Sequence, residues 1–298
     1  MERSFQRSKF MTDHGKKRSV TVLGTGMIGA AVARNLARKG FDVSAWNRSS
    51  EKAHALANEG VAAFDDPGDA MRGAAIIVTV LKDGPATAET IRAARSAVAK
   101  GTVWLQLGTV GIPAIEDLSA LAEDYGLVLY DAPVQGTRQP AEQGKLVILA
   151  SGPADRRADA QSVFDAIGQR TIWVADAPGA SSRLKLALNS FVFTLTHATA
   201  ETLAIARALG IDPQLVVEAI TGGPLDSGYF QGKGAAMLTN DFAPSFTVAN
   251  GLKDARLVAD ALTGTDLQAD LAAASLLRFE RLNEAGHGGK DIAASILA

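Results

Sequence analysis

The 298-residue chain predicts an α/β fold, an N-terminal doubly wound parallel sheet followed by an all-α C-terminal domain, the two joined by a long helix. Three observations predict it. Short β-branched runs alternate with helical stretches from residue 19 to about 178. The strand signal then stops. Residues 181–209 follow as one apolar helical pattern without Pro or Gly. Strands alternating with helices imply βαβ units and a mainly parallel sheet. Right-handed crossovers wind such a sheet with helices on both faces.

The strands expected in order are SVTVL (19–23), FDVSAW (41–46), AAIIVTVL (74–81), TVWLQL (102–107), LVLYDA (127–132), KLVILA (145–150) and TIWV (171–174). The helices between them are expected near 28–39, 51–59, 86–99, 113–125 and 155–168. The helix over 181–209 would span about 40 Å. It is apolar on most sides, as a helix buried in a core or against a partner subunit is. Gly210 closes it as a C′ glycine, Asp212 is the expected N-cap of the next helix, and Pro213 sits at its first position. Further helices are expected over 213–221, 247–263, 267–285 and 290–297. The domains are therefore read as a tail, 1–18, a sheet domain, 19–178, and a helical domain, 179–298.

Composition narrows the function classes. The chain is 47% hydrophobic and 21% charged, and its formal charge is −2, so no net field calls for nucleic acid or an anionic membrane. It contains no cysteine, which excludes disulfides, thiolate catalysis and Cys-ligated metals and fits a reducing, cytoplasmic setting. No unbroken apolar run of about 18 residues suggests a membrane span. Residues 1–18 are basic and polar without an apolar core, which reads as a disordered, solvated tail; Met11 is an alternative start. His14, His54, His197 and His287 lack ligand spacing, so no metal is expected.

The stretch VTVLGTGMIGAAVARNLARKG carries Gly24-Thr25-Gly26-Met27-Ile28-Gly29 directly after a strand and opening a helix. That context makes GxGxxG a dinucleotide signature. Its first glycine permits the tight turn, its second the approach of a pyrophosphate, its third close helix–sheet packing. The helix N-terminus then meets the phosphate charge. About twenty residues on, the second strand ends in WNRSSEK, with Asn47, Arg48 and Ser49 where an NAD enzyme places a carboxylate for the ribose 2′-OH. The fork of Arg48 suits a 2′-phosphate, so the expected cofactor is NADPH; a solvated surface arginine is the alternative.

In RLKLALNS (183–190), Lys185 stands among leucines, and Asn189 follows on the same helix face. Hydride transfer to a carbonyl needs a proton at the carbonyl oxygen, and a lysine whose pKa is lowered by burial can supply it. Periodicity alone favours a lysine snorkelling to solvent along its long stem. His197 continues a similar stripe and is assigned no role.

Four separated segments together resemble the β-hydroxyacid dehydrogenase family. They are VLGTGMIGAAVARNL, DAPVQGTRQPAEQGKLVILASG (131–152), GASSRLKLALN (179–189) and GLKDARLVADAL (251–262). The resemblance runs over nearly the whole chain from residue 19. It implies a Rossmann domain plus a helical domain, with the long helix as connector and dimer core. It implies Lys185 as catalytic acid/base with Asn189 beside it, Gln135, Gly136 and Thr137 at the substrate carboxylate, Leu81 and Thr109 at the cofactor, and Lys253 contacting the cofactor with support from Asp254. GTRQPAEQGKLVILASG and YFQGKG (229–234) look most like the glyoxylate/succinic semialdehyde reductase branch, which implies NADPH and a pocket wall at Phe230. The family commonly has serine where this chain has Gln135, so the carboxylate pocket is remodelled. Arg138 is either a replacement contact or a solvated loop charge. The expectation is reduction of a small carbonyl acid by a homodimer or homotetramer. The alternatives are an imine reductase-like enzyme and a non-catalytic NADPH-binding assembly module.

Overall fold

A computed structural model describes residues 18–298. The expected tail lies outside the described residues except for Arg18, which pairs with Asp159 at 2.7 Å. The chain divides into two compact units, one ending at Lys185 and one beginning at Leu186.

The first unit runs β1 (Ser19–Leu23), α1 (Met27–Arg38), β2 (Asp42–Trp46), α2 (Glu51–His54), β3 (Val61–Phe64), α3 (Pro67–Met71), β4 (Ile76–Thr79), α4 (Gly84–Ala93), β5 (Val103–Gln106), α5 (Ile112–Tyr125), β6 (Val128–Asp131), β7 (Val134–Gln135), α6 (Arg138–Glu142), β8 (Leu146–Ser151), α7 (Arg157–Ile167) and β9 (Gly168–Ala175). The strand order is β3-β2-β1-β4-β5-β6-β8-β7, with β9 also on β8. The first six strands pair in parallel, and β8 is antiparallel to β6 and β7 but parallel to β9. Strands covered on both faces read as continuous apolar runs because each side meets a helix layer. Val20, Val22, Ile76, Val78, Val103 and Leu105 pack with α1 and α7, while Leu23, Ile77 and Trp104 pack with α3, α4 and α5.

Several sequence expectations shift locally. The helix expected over 51–59 breaks into α2 and a 3-10 turn at Ala57–Glu59, closed by Gly60 at φ +81°. β3 was not expected, because a four-residue VAAF segment between polar stretches carries little periodic signal.

Helix α8 (Ala180–Ala208) carries the chain from the first unit into the second, which continues with α9 (Gln214–Ile220), α10 (Gly228–Thr239), α11 (Val248–Leu262) and α12 (Asp270–Leu282). Asp212 caps α9 by accepting from Gln214 N at 2.9 Å. α10 was not expected; Gly232 and Gly234 lower its intrinsic propensity, and the buried Phe230 and Met237 compensate. The expected α-helix at 290–297 is a 3-10 helix over Ile292–Leu297. The core of this unit stacks Phe193 edge-on to Phe279 at 5.0 Å, around Val248, Leu252, Leu282 and Ile292. Among the described residues, no helix is long and apolar enough to cross a membrane.

Candidate active site

The first unit gathers its candidate residues at the carboxyl ends of the parallel strands, where open α/β sheets bind ligands. Gly24 leaves β1 at φ +97°, and a Cβ there would lie 2.4 Å from the Val80 carbonyl oxygen. A Cβ on Gly29 would lie 1.8 Å from the Gly24 oxygen, so only glycine lets α1 start this close to the strand. Gly26 is the N-cap of α1 and supplies no side-chain cap, which leaves the first-turn amides to another acceptor. A Cβ at Gly26 would meet nothing within 4 Å. The Thr25 hydroxyl is buried without a protein partner. Open backbone, uncapped amides and an orphaned hydroxyl fit the pyrophosphate of a dinucleotide. Met27 and Ile28 form the first turn beside it.

Asn47 ties the second strand exit to this loop. Its Oδ1 accepts from Thr25 N at 3.0 Å, and its Nδ2 donates to the Ser49 carbonyl at 3.0 Å. Arg48 between them is exposed and makes no ion pair among the described residues. The β4 exit brings Leu81 within 3.0 Å of the Gly24 Cβ position. Beyond β5, a buried chain fixes the turn before Thr109: Trp104 Nε1 donates to Thr79 Oγ1 (2.9 Å), Thr79 to Gln106 Oε1 (2.6 Å), and Gln106 Nε2 to the Gly108 carbonyl (3.0 Å).

Lys185 is 8% exposed and does not snorkel to solvent. Its Nζ donates to the Val134 carbonyl at 2.8 Å. The next residue, Gln135, has a buried Nε2 without a protein partner. Gly136 (φ +128°) and Thr137 complete the turn into α6. Arg138 is exposed and bonded to Glu142 at 2.8 Å.

The sequence reading missed the groups that hold the start of α8. The Asp131 carboxylate, fully buried at the end of β6, accepts from Gly179 N (3.1 Å), Ser182 N (2.8 Å) and Ser182 Oγ (2.8 Å). Ser151 Oγ accepts from Ser181 N at 3.2 Å. Burial pushes the Asp131 carboxyl up to about 6, against the lowering by its hydrogen bonds from Ser182 and Gly179. The available signal was an aspartate closing a strand and two serines opening a helix, 51 positions apart.

In the second unit, Asn189 is buried and donates to Asp254 Oδ2 at 2.9 Å. Asp254, also buried, pairs with Lys253 at 2.6 Å. Phe230 is buried at the start of α10, whose Ser227 cap accepts from its amide. No cluster of His, Asp and Glu suited to a metal occurs among the described residues.

The NAD binding domain model of 6-phosphogluconate dehydrogenase matches residues 19–175. The NAD-binding domain model of NADP-dependent 3-hydroxyisobutyrate dehydrogenase matches residues 179–298. The chain belongs to the β-hydroxyacid dehydrogenase family. This β-hydroxyacid dehydrogenase is 26% identical over 282 residues to glyoxylate/succinic semialdehyde reductase 1 of Arabidopsis thaliana, covering 94% of this chain and 97% of that one. It is 28% identical over 282 residues to L-threonate dehydrogenase of Cupriavidus necator, covering 94% and 95%. Its fold matches the crystal structure of 3-hydroxyisobutyrate dehydrogenase from Salmonella typhimurium with a TM-score of 0.87 at 24% identity, covering 94% and 99%. Membership makes the chain an NAD(P)-dependent oxidoreductase of the hydroxyacid dehydrogenase type.

Proposed function

We propose that this β-hydroxyacid dehydrogenase uses NADPH to reduce a small aldehyde acid of the glyoxylate or succinic semialdehyde type. The observation that carries the reading is the buried Lys185 ammonium, anchored 2.8 Å from the Val134 carbonyl and next in line to Gln135. Bound NADPH supplies the hydride. Lys185 Nζ delivers the proton to the carbonyl oxygen as the alkoxide develops. Val134 takes one of the ammonium's three donors and aims the group. Asn189, one turn further along α8, orients the ammonium or holds the substrate oxygen. The buried Gln135 Nε2 needs an acceptor, because an unmade buried hydrogen bond is costly. A substrate carboxylate oxygen meets that need, with Gly136 and Thr137 beside it. Arg138 has no part in this reading, since its charge is answered by Glu142.

Thr25, Gly26 and the first turn of α1 hold the pyrophosphate, and Arg48 with Ser49 takes the 2′-phosphate. Support for NADPH comes from the exposed guanidinium at the β2 exit and the absence of an acid at 46–50. Leu81 and Thr109 serve the nicotinamide side, and Lys253 keeps the cofactor role that the resemblance implies. We also propose that the chain assembles as a homodimer or homotetramer. The large hydrophobic side chains most exposed among the described residues, Phe191, Leu209 and Leu225 among them, all belong to the second unit.

The test is an NADPH-consumption panel of glyoxylate, succinic semialdehyde, tartronate semialdehyde, methylmalonate semialdehyde and cyclic imines. Turnover of aldehyde acids is expected. Lys185→Ala should lower kcat on the best of them by roughly 10²- to 10⁴-fold with NADPH affinity retained. Turnover of imines alone, or a Lys185→Ala variant at wild-type kcat, would overturn the reading.

A further inference from the structure

Two contacts join the 131–137 segment to the start of α8 at the same sequence offset. Asp131 meets Ser182, and three residues further on Val134 meets Lys185; each pair is 51 positions apart. Three residues are nearly one helical turn. The first contact therefore sets the register of the second.

The first contact is also the stronger clamp. Gly179 N and Ser182 N are amides of the opening turn, which has no intrahelical acceptors. One carboxylate satisfies both and takes the Ser182 hydroxyl as well. Lys185 follows Ser182 by three positions on α8, so the two lie on one face of the helix. A carboxylate held at that face favours the charged form of a nearby ammonium.

We propose that Asp131 is the positioning residue of Lys185: its buried carboxylate registers the start of α8 against Val134 and, by its charge, keeps the lysine protonated. The inference rests on the reading of Lys185 as the proton donor. Asp131 does not touch the reacting atoms; it acts through Lys185.

The charged groups around Asp131 are few. Arg183 of α8 lowers its pKa, and Arg183 is itself 3.2 Å from Glu116 of α5. β8 contributes only the uncharged Ser151. Lys185 is the remaining cation on the helix turn. Burial raises the Asp131 carboxyl to about 6, so acidification would protonate it and end its support for the ammonium.

The experiment compares Asp131→Asn and Ser182→Ala in the full chain, each checked for folding by circular dichroism and Tm. Asp131→Asn should lower kcat on the best carbonyl substrate about ten- to a hundred-fold, as a misplaced catalytic group does. Its NADPH Kd should stay within about twofold, since the phosphate loop lies elsewhere on the sheet. The basic limb of its kcat profile should move about one unit to lower pH, the size of a partly buried helix-end charge. Ser182→Ala keeps the charge, so its kcat should fall less and its basic limb should stay in place. A second measurement is independent of turnover: the ¹⁵Nζ titration of Lys185 in lysine-labelled protein, assigned with Lys185→Arg. Its midpoint should fall in Asp131→Asn and hold in Ser182→Ala. An unmoved midpoint in a folded Asp131→Asn variant overturns the proposal. So does an equal loss of NADPH affinity and kcat, which marks a merely structural residue. If no carbonyl is reduced even by the wild type, the substrate reading fails while the titration still decides the role of Asp131. If Asp131→Asn does not fold, Ser182→Ala carries the test, and a Ser182→Ala variant with wild-type kcat overturns the registering role.

Discussion

Arg48 stands in solvent between Asn47, which braces the phosphate loop, and Ser49. Its side chain makes no hydrogen bond or ion pair among the described residues, so removing it should act chiefly on the cofactor. Arg48→Ala is expected to raise the NADPH Kd roughly ten- to a hundred-fold, the worth of a charge-assisted hydrogen bond, and to leave the NADH Kd within about twofold. Fluorescence titration with both cofactors checks this; equal losses would remove the 2′-phosphate role. His197 shows the opposite situation. Its Nδ1 lies 2.8 Å from Ser295 Oγ, its ring packs 4.5 Å from that of Phe279, and burial, with Arg278 and Arg281 nearby, pushes its pKa down to about 3. The unfolded chain takes up that proton near pH 6.5. A folded pKa below the unfolded one stabilises the protein above about pH 6.5, and the stability is lost as pH falls toward 3. Each unit in that window costs up to about 1.4 kcal/mol. Urea unfolding at stepped pH should show this slope, and His197→Gln should flatten it. Asp131 has the reverse sign. Burial raises its folded pKa, so its contribution is fully present below about pH 4 and is lost as pH rises through about 6. The cost of ionising it at neutral pH is borne by the site that uses the charge.

At the scale of elements, close approaches decide more than propensities. Gly251 opens the GLKDARLVADAL motif on α11, and a Cβ there would lie 2.7 Å from Phe279 Cζ and 3.2 Å from Ile292. Phe279 is fully buried and cannot swing away. Gly251→Ala should therefore destabilise by about 1–3 kcal/mol despite its better helix propensity, an overpacking cost measurable by urea unfolding. A variant as stable as the wild type would show that α12 gives way. The same logic explains which elements were legible. α1, α5 and α8 announce themselves by long apolar periodicity, and β1, β4 and β5 by unbroken branched runs. β3, the two-residue β7 and the glycine-bearing α10 do not, because each is held by neighbours distant in sequence rather than by its own pattern.

For the whole molecule, the strand order β3-β2-β1-β4-β5-β6 puts the switch between β1 and β4 where the phosphate loop leaves the sheet. The exits of β2, β4 and β5 carry Asn47, Leu81 and Thr109, and β7, which follows the end of β6, carries Gln135, so the sheet collects residues almost ninety positions apart. The second unit leaves Leu209 74% and Leu225 77% exposed. Light scattering on the purified chain should give an even multiple of the chain mass; a monomer at micromolar concentration would end the assembly proposal.

By itself, the sequence determined the alternation of strand and helix, the glycines of the phosphate loop, the length of α8 and the pairing of Lys185 with Asn189 along it. Those features depend on local periodicity and short spacings, which a linear chain displays directly. Only the tertiary structure decided that the Lys185 ammonium turns inward to Val134, that Arg138 is answered by Glu142, and that Asp131 closes the start of α8. Contacts such as 131–182 and 134–185 join residues 51 positions apart, and nothing in either segment alone specifies its partner. Burial and hydrogen-bond satisfaction select those pairs once the chain has folded, because an unpaired amide or ammonium in the interior costs more than the order needed to pair it.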